Sequence, residues 1–267
     1  MSTNYPTGVI EAMLKVGLQL YTVREDLERD FEGTIEKVAA LGYQGVEFAG
    51  YYGRTAEQVK ALLDKHNLEV VGAHTPYVDL LEDAQSLIDF NKAIGNRYII
   101  VPYLAEEQRS NWPEIFENLR KLGEICNKND VVLLYHNHDF EFTEKIGGRT
   151  VLDAMYEEIP ADLIQVELDS AWVEYSGHDA VEYINKYAGR LPIVHWKDFK
   201  RTDDGIQMME LGEGEAPVAR IGDAADKAGA EWIVVEQDNS LQAPMQSIEQ
   251  SMNWVKSYGA KGGVVNV

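Results

Sequence analysis

Cysteine is nearly absent from this chain, with one residue, Cys126, in 267. A lone thiol cannot close an intrachain disulfide, which excludes a disulfide-stapled secreted scaffold. Cys126 falls in the helical pattern Phe116–Asn127 and reads as a small core residue. Cations are scarce as well: 24 Lys+Arg stand against 45 Asp+Glu, a net charge of −21. Binding duplex nucleic acid requires cations that displace phosphate counterions, and an anionic membrane surface makes the same demand, so neither partner is expected. No segment reaches the roughly 18 apolar residues of a membrane span. The opening MSTNYPTGVIEAMLKVG has no basic region followed by a long apolar run. The expectation is a soluble, cytoplasmic protein whose excess acid is mostly solvated surface, part of it available to a divalent cation.

With 45% hydrophobic residues the chain has ample material for a core. Short apolar or β-branched runs alternate with amphipathic segments. The predicted strands are Val16–Tyr21, Gly45–Phe48, Val70–His74, Tyr98–Pro102, Val131–His136, Ile164–Asp169, Ile193–Trp196 and Trp232–Glu236. Helical spacing marks Phe31–Leu41, Ala56–His66, Gln85–Ile94, Trp112–Cys126 and Val181–Tyr187. Thr55 with Gln58 reads as an N-terminal capping pair, and Gly42 and Gly95 as helix stops. Strand starts recur about every thirty residues, the length of one strand–helix unit. Runs such as Ile99-Ile100-Val101 are apolar on successive residues, as parallel strands covered on both faces require. Eight such units close a (β/α)8 barrel, an α/β fold that forms one domain at roughly 250 residues. The expected organisation is a single TIM-barrel domain over 1–267, and Lys200–Pro217 is its longest irregular piece.

In such a barrel the chemistry sits at the C-terminal ends of the strands. There this sequence places Glu47, His74, Tyr103, a cluster from His136 to Glu141, Glu167 with Asp169, His195 with Lys197, and Glu236 with Asp238. A lone His or Glu at a strand end is more often a hydrogen-bonded structural residue. Carboxylates gathered together without a cation would repel and take up protons. Glu141, Asp169, His195 and Glu236 offer three oxygens and one nitrogen, a set that suits Mn²⁺, Mg²⁺ or Co²⁺, with Zn²⁺ as a further option. His136 alternates with His138, which would let one face the barrel and the other pack outside. Trp172 and Trp196 read either as core or as sugar-stacking surfaces.

The motifs YHNHDFEF (Tyr135–Phe142), ELDSAW (Glu167–Trp172), HWKDF (His195–Phe199), VVEQD (Val234–Asp238) and the Gly-rich LGEGEAPV (Leu211–Val218) resemble the xylose-isomerase-like barrel superfamily, in its sugar phosphate isomerase/epimerase group. The resemblance spans nearly the whole chain from Val16. It implies one divalent metal ion held by Glu141, Asp169, His195 and Glu236, with Glu167 or His138 open as substitutes for Glu141. Ketose 3-epimerases of the group have a Glu where this chain has Tyr135 and a His where it has Trp172. The match is therefore closer to the branch of inosose dehydratase and keto-sugar epimerases.

The implied reaction is proton transfer next to a carbonyl of a sugar or keto-polyol through a metal-stabilised enediolate. Glu141 and Glu236 are the candidate bases; His74, His138, Lys197 and Trp172 are candidate substrate-binding residues. Proton return gives an isomerase or epimerase, the leading expectation. Loss of a β-hydroxyl gives an inosose-dehydratase-like dehydratase, the alternative. An endonuclease IV-like nuclease would need more imidazole ligands than six His can spread over several strands, and a net charge other than −21. A catalytically silent binding protein conflicts with four intact ligand candidates. Arg24 and Arg201 read as surface ion-pairing residues. The backbone N–H groups around Gly212 and Gly214 are the remaining place for a phosphate, which is not expected on the substrate. The partner is thus a small carbohydrate, with self-association left open.

Overall fold

The computed structural model describes residues 13–265 and 267; the N-terminal segment weighed above for a targeting signal lies mostly outside them. Eight parallel strands close a barrel: β1 Lys15–Gln19, β2 Gly45–Phe48, β3 Glu69–His74, β4 Tyr98–Val101, β5 Val132–His136, β6 Gln165–Asp169, β7 Ile193–Trp196 and β8 Trp232–Val235. Each pairs with its neighbours in chain order, and β8 returns to β1 through Val16↔Ile233. Eight outer helices follow the strands in turn: α1 Phe31–Leu41, α2 Ala56–His66, α3 Tyr77–Ala93, α4 Trp112–Lys128, α5 Val151–Glu158, α6 Ala180–Lys186, α7 Val218–Lys227 and α8 Pro244–Ala260. Each covers a strand face, which is why β2, β4, β7 and β8 are buried at every position. No helix among the described residues is long and apolar enough to cross a membrane.

Local chemistry explains the boundaries. Thr55 and Gln58 form the reciprocal capping box at the start of α2, and Gly42 ends α1 in the left-handed conformation at φ 105°. The sequence expectation of a helix from Gln85 covers only the second half of α3. The helix starts at Tyr77 and is interrupted at Asp83, whose backbone is non-helical and whose Oδ1 accepts from Ser86 N, so one Asp caps the second half. The stretch Lys200–Pro217, expected to be irregular, contains an antiparallel hairpin of Asp198–Thr202 with Gly205–Met209. It forms a two-stranded sheet apart from the barrel, and its first strand, DFKRT, lacks the run of successive apolar residues that marks a barrel strand.

Inside the barrel, side chains two residues apart on a strand share a face. A separate apolar group that includes Leu134, Ile193 and Val234 fills the barrel below its mouth. Two residues further along the same strands come His136, His195 and Glu236. The strand period alone thus stacks a polar layer on an apolar plug. Register aligns the layer, since Asp169 pairs with His195 between β6 and β7.

Candidate metal centre and active-site pocket

The polar layer is a tight network. Glu47 on β2 accepts from Gln19 Nε2 at 2.6 Å and meets His195 Nε2 at 2.8 Å and His74 Nε2 at 3.0 Å, all through Oε1. Glu167 Oε1 meets His74 Nε2 at 2.7 Å, His136 Nδ1 at 2.8 Å and His195 Nε2 at 3.2 Å. On the other side His195 Nδ1 faces Glu236 Oε2 at 2.8 Å. The Lys197 ammonium, 1% exposed, lies 2.7 Å from Glu236 Oε2, 2.8 Å from Asp169 Oδ2 and 2.9 Å from Asp238 Oδ1. Asp169 spends Oδ1 capping the helical turn that follows β6, accepting from Ala171 N and Trp172 N, which turns Oδ2 to the cluster. Gly72 on β3 makes room for this layer: a Cβ there would stand 3.1 Å from Glu47 Oε2 and 2.5 Å from Ile100 Cδ1.

Two overlapping groups bring metal-binding atoms within 4.8 Å of one another: His136, Asp169, His195 and Glu236, and His74, His136, Glu167 and His195. Three of the four residues expected to hold a metal, Asp169, His195 and Glu236, come together. Glu141 is in neither group. It is fully buried, with Oε1 accepting from the Tyr135 hydroxyl at 2.6 Å and Oε2 from His138 N at 2.8 Å. The donor set suits a divalent ion in kind. Glu47 Oε2 and Glu167 Oε2, buried with no hydrogen-bond partner, show that the network leaves carboxylate capacity unused.

The electrostatics follow from burial without water. Burial opposes charge on His74, but Glu47 and Glu167 outweigh it and hold the imidazole up at about 10. His195 is likewise held well above its ordinary value, burial being overcome by Glu167, Glu47 and Glu236. His136 is driven well below, by burial and then by the nearby His195 and His74. Glu236 is pulled down because Lys197 and His195 outweigh its burial, whereas Asp238 is pushed up by burial against the pull of Lys197. Burial raises Asp169 to about 6 despite Lys197, and Glu141 to about 8 despite its two donors. The imidazolium and ammonium groups neutralise the carboxylates here, the task a divalent ion would take over.

The layer opens on a cavity of ≈ 500 Å³ lined by Tyr21, Ala49, His74, Pro76, Pro102, Tyr103, His136, His138, Trp172, Glu236 and Asp238. Of the expected substrate-binding residues, His74, His138 and Trp172 line it; Lys197 lies beneath, committed to three carboxylates. Both His136 and His138 reach the cavity, which corrects the expectation that alternation would send one outside: residues two apart share a face. Trp196 is core, its Nε1 donating to Val218 O at 2.8 Å. The Gly-rich loop does not offer its amides to a ligand. Gly212 N and Gly214 N donate to Asp198 Oδ2, and Ala216 N to Asp198 Oδ1. Arg201 pairs with Glu215, as expected of a surface residue, whereas Arg24 donates to the carbonyls of Tyr21 and Asp238. Sequence reasoning assigned no role to Glu47 or His136. The signal was the strand period, which puts Glu47 one step above Gly45 on the inward face.

A closed eight-stranded parallel barrel with buried carboxylates and imidazoles at its C-terminal mouth defines a (β/α)8 barrel whose clustered side chains could hold a metal ion. The chain belongs to the xylose isomerase-like TIM barrel family, which matches residues 35–258. It is 24% identical over 275 residues to an inosose dehydratase of Clostridium perfringens, covering 86% of this chain and 90% of the relative. In fold it is similar to a sugar phosphate isomerase/epimerase from Parabacteroides distasonis, with TM-score 0.78, 22% identity, and coverage of 94% of this chain and 96% of that one. The IOLI protein, whose structure holds a zinc atom, matches with TM-score 0.73 and 13% identity over 95% of this chain and 100% of that one.

Proposed function

We propose that this chain is a divalent-metal-dependent dehydratase that removes water from a neutral keto-polyol of the inosose type. The observation that carries the reading is the buried group His136, Asp169, His195 and Glu236, which meets the cavity through His136 and Glu236. The ligand set proposed is Asp169, His195 and Glu236 with His136; the sequence alternative keeps Glu141 in the fourth place. Mn²⁺, Mg²⁺, Co²⁺ and Zn²⁺ all accept such donors, and the zinc of the IOLI structure is in keeping with this. A bound divalent ion supplies Lewis-acid polarisation of the ketone.

The chain's own groups divide the proton work. Glu236 and Asp238 both line the cavity and share Lys197. Their environments push them apart, Glu236 toward the ionised form and Asp238 toward the protonated one. The Glu236 carboxylate takes the proton from the carbon next to the ketone. Asp238 gives its proton to the departing β-hydroxyl, which leaves as water. The substrate's C–H and C–O bonds are replaced by a carbon–carbon double bond, and transfer of the proton from Glu236 to Asp238 resets the pair. His74, His138 and Trp172 remain as substrate-orienting residues.

Isomerisation and epimerisation begin with the same proton abstraction and were the leading expectation from sequence. The relatives that align over most of the chain are inosose dehydratases, and this favours water loss. The lone buried thiol and the small-metabolite substrate fit a cytoplasmic enzyme.

The test is incubation of an inosose, unlabelled and deuterated at the carbon next to the carbonyl, with Mn²⁺, following the absorbance of the unsaturated ketone and the fate of the label. The expected result is product accumulation, with Glu236→Gln slower by a factor on the order of a hundred or more. An epimer or aldose formed without water loss would return the isomerase reading. Deuterium retained at that carbon in the product would remove proton abstraction altogether.

A further inference from the structure

We propose that the pocket takes a two-ring substrate: a keto-polyol ring against the carboxylates, and a second ring, joined through oxygen, lying on an aromatic ledge at the mouth. This rests on the dehydratase reading for the inner ring only. The cavity of ≈ 500 Å³ falls inside the range of roughly 300–1,000 Å³ that accommodates ligands well beyond one small ring. Its outer wall is aromatic. Tyr103 stands edge-on to His138 at 5.0 Å and to Phe140 at 5.6 Å, and Trp172 lies 5.6 Å from His138. A continuous series of rings therefore runs from the polar layer to solvent, where Tyr103 is 49% and Tyr21 42% exposed.

These two belong to a wider pattern. The exposed large apolar side chains among the described residues are Met13, Tyr21, Val78, Leu81, Tyr103, Leu241 and Val267. Met13 and Val267 are the ends of the described chain. Of the rest, Tyr21 and Tyr103 line the cavity, while Val78 and Leu81 lie on α3 and Leu241 on the loop after β8. Exposed apolar surface concentrated at a cleft marks a ligand-binding face. Tyr21 is fixed to the chemistry below it: its backbone N donates to Gln19 Oε1 while Gln19 Nε2 donates to Glu47. The Arg24 guanidinium lies over the Tyr21 ring, 4.1 Å from its centroid, which holds that ring in place at the mouth. Such a ring recognises the face of a pyranose or of an aryl ring alike.

The experiment uses the Mn²⁺-loaded protein and three compounds carrying the same ketone: the bare keto-hexose ring, its phenyl glycoside and its glucosyl disaccharide. Binding is read by calorimetry and turnover by the absorbance of the unsaturated ketone. We expect kcat/KM for at least one extended compound to exceed that of the bare ring by about tenfold or more. Which extended compound wins identifies the second ring as aryl or sugar. Tyr103→Ala and Tyr21→Ala should each erase most of that preference through KM. A bare ring used as well as either extended compound overturns the proposal and leaves the dehydratase reading standing. Tyrosine-dependent tight binding of an extended compound without water loss sinks the dehydratase reading and upholds the ledge. Failure of both extended compounds to bind overturns it, as does a concentration-dependent dimer that Tyr103→Ala dissociates with no change in preference.

Discussion

His195 Nε2 lies 2.8 Å from Glu47 Oε1, a contact between residues 148 apart in the chain. It crosses the barrel interior from β7 to β2, and it accounts for how a fully buried imidazole can carry charge. Two further carboxylates, Glu167 and Glu236, complete the surroundings of the same ring. The network is neutralised by its own cations, and a divalent ion bound there would compete with them.

That competition sets a pH dependence. Against its burial, His195 is held well above its ordinary value, chiefly by Glu167 and Glu47, so without a metal ion its protonated form is favoured. Ligation needs the lone pair that this proton occupies, so metal binding should release it. Apparent affinity for Mn²⁺ should then rise with pH below the folded-state value, by up to about tenfold per unit for one proton. Titration calorimetry in buffers of different ionisation enthalpy gives the proton count. An affinity that does not change between about pH 6 and about pH 8 would argue against His195 as a ligand. His195→Ala and Asp169→Ala should each abolish bound metal with the barrel still folded.

In the proposed metal site Glu141 and His136 are the two candidates for a fourth ligand, and Glu141→Gln separates them. If His136 is the ligand, the Gln variant keeps its metal, as measured by elemental analysis, while His136→Ala loses it. The same variant has a stability signature. Burial raises Glu141 from 4.5 to about 8 in the folded chain, so the folded state holds a proton that the unfolded state releases. Wild-type stability from this group is intact below about 4.5 and falls as pH rises through about 8. Glu141→Gln cannot ionise there. In denaturant unfolding it should gain on the wild type as pH rises from about 5 to about 8.

Asp198 tethers the Gly-rich loop by accepting from Phe199 N, Gly212 N, Gly214 N and Ala216 N. A Cβ on Gly214 would stand 2.1 Å from Asp198 Oδ1, so only glycine permits the approach. Asp198→Ala leaves those donors unpaired and should cost about 3 kcal/mol in unfolding free energy, within the usual range for losing charge-assisted hydrogen bonds. Limited proteolysis should cut first between residues 205 and 217. A variant as stable and as protease-resistant as the wild type would show that the loop holds itself.

The substrate should carry no phosphate. The amides of Gly212 and Gly214 are spent on Asp198, Arg24 on two carbonyls and Arg201 on Glu215 and two carbonyls. Matched free and phosphorylated keto-sugars should therefore differ in favour of the free compound by about tenfold or more, or roughly 1.4 kcal/mol. Turnover at one Mn²⁺ concentration decides it, and a preference for the phosphorylated member sinks the prediction.

Several features of the fold and the site were legible before any coordinates. The strand runs announced themselves because parallel strands covered on both faces must be apolar at successive positions. Asp169, His195 and Glu236 stood out as polar residues ending such runs. Glu47 and His136 were equally available by the period of two, yet each looks like an ordinary strand-end residue until its partners are known. The break at Asp83 and the hairpin after β7 were hidden for a different reason: a single capping side chain and a short hairpin with a polar first strand leave no apolar periodicity to read.

By itself the sequence determined the barrel, the order of its eight units and which strand ends carry ionisable groups, because periodicity and burial are local properties of the chain. Only the tertiary structure decided which of those groups meet. Closure of the barrel brings Glu47 to His195 and His74 to Glu167, withdraws Glu141 to Tyr135 and His138 N, and turns the Gly-rich amides onto Asp198. A side-chain atom's partner depends on distances set by strand register and by room such as that beside Gly72, and neither is written in any one segment.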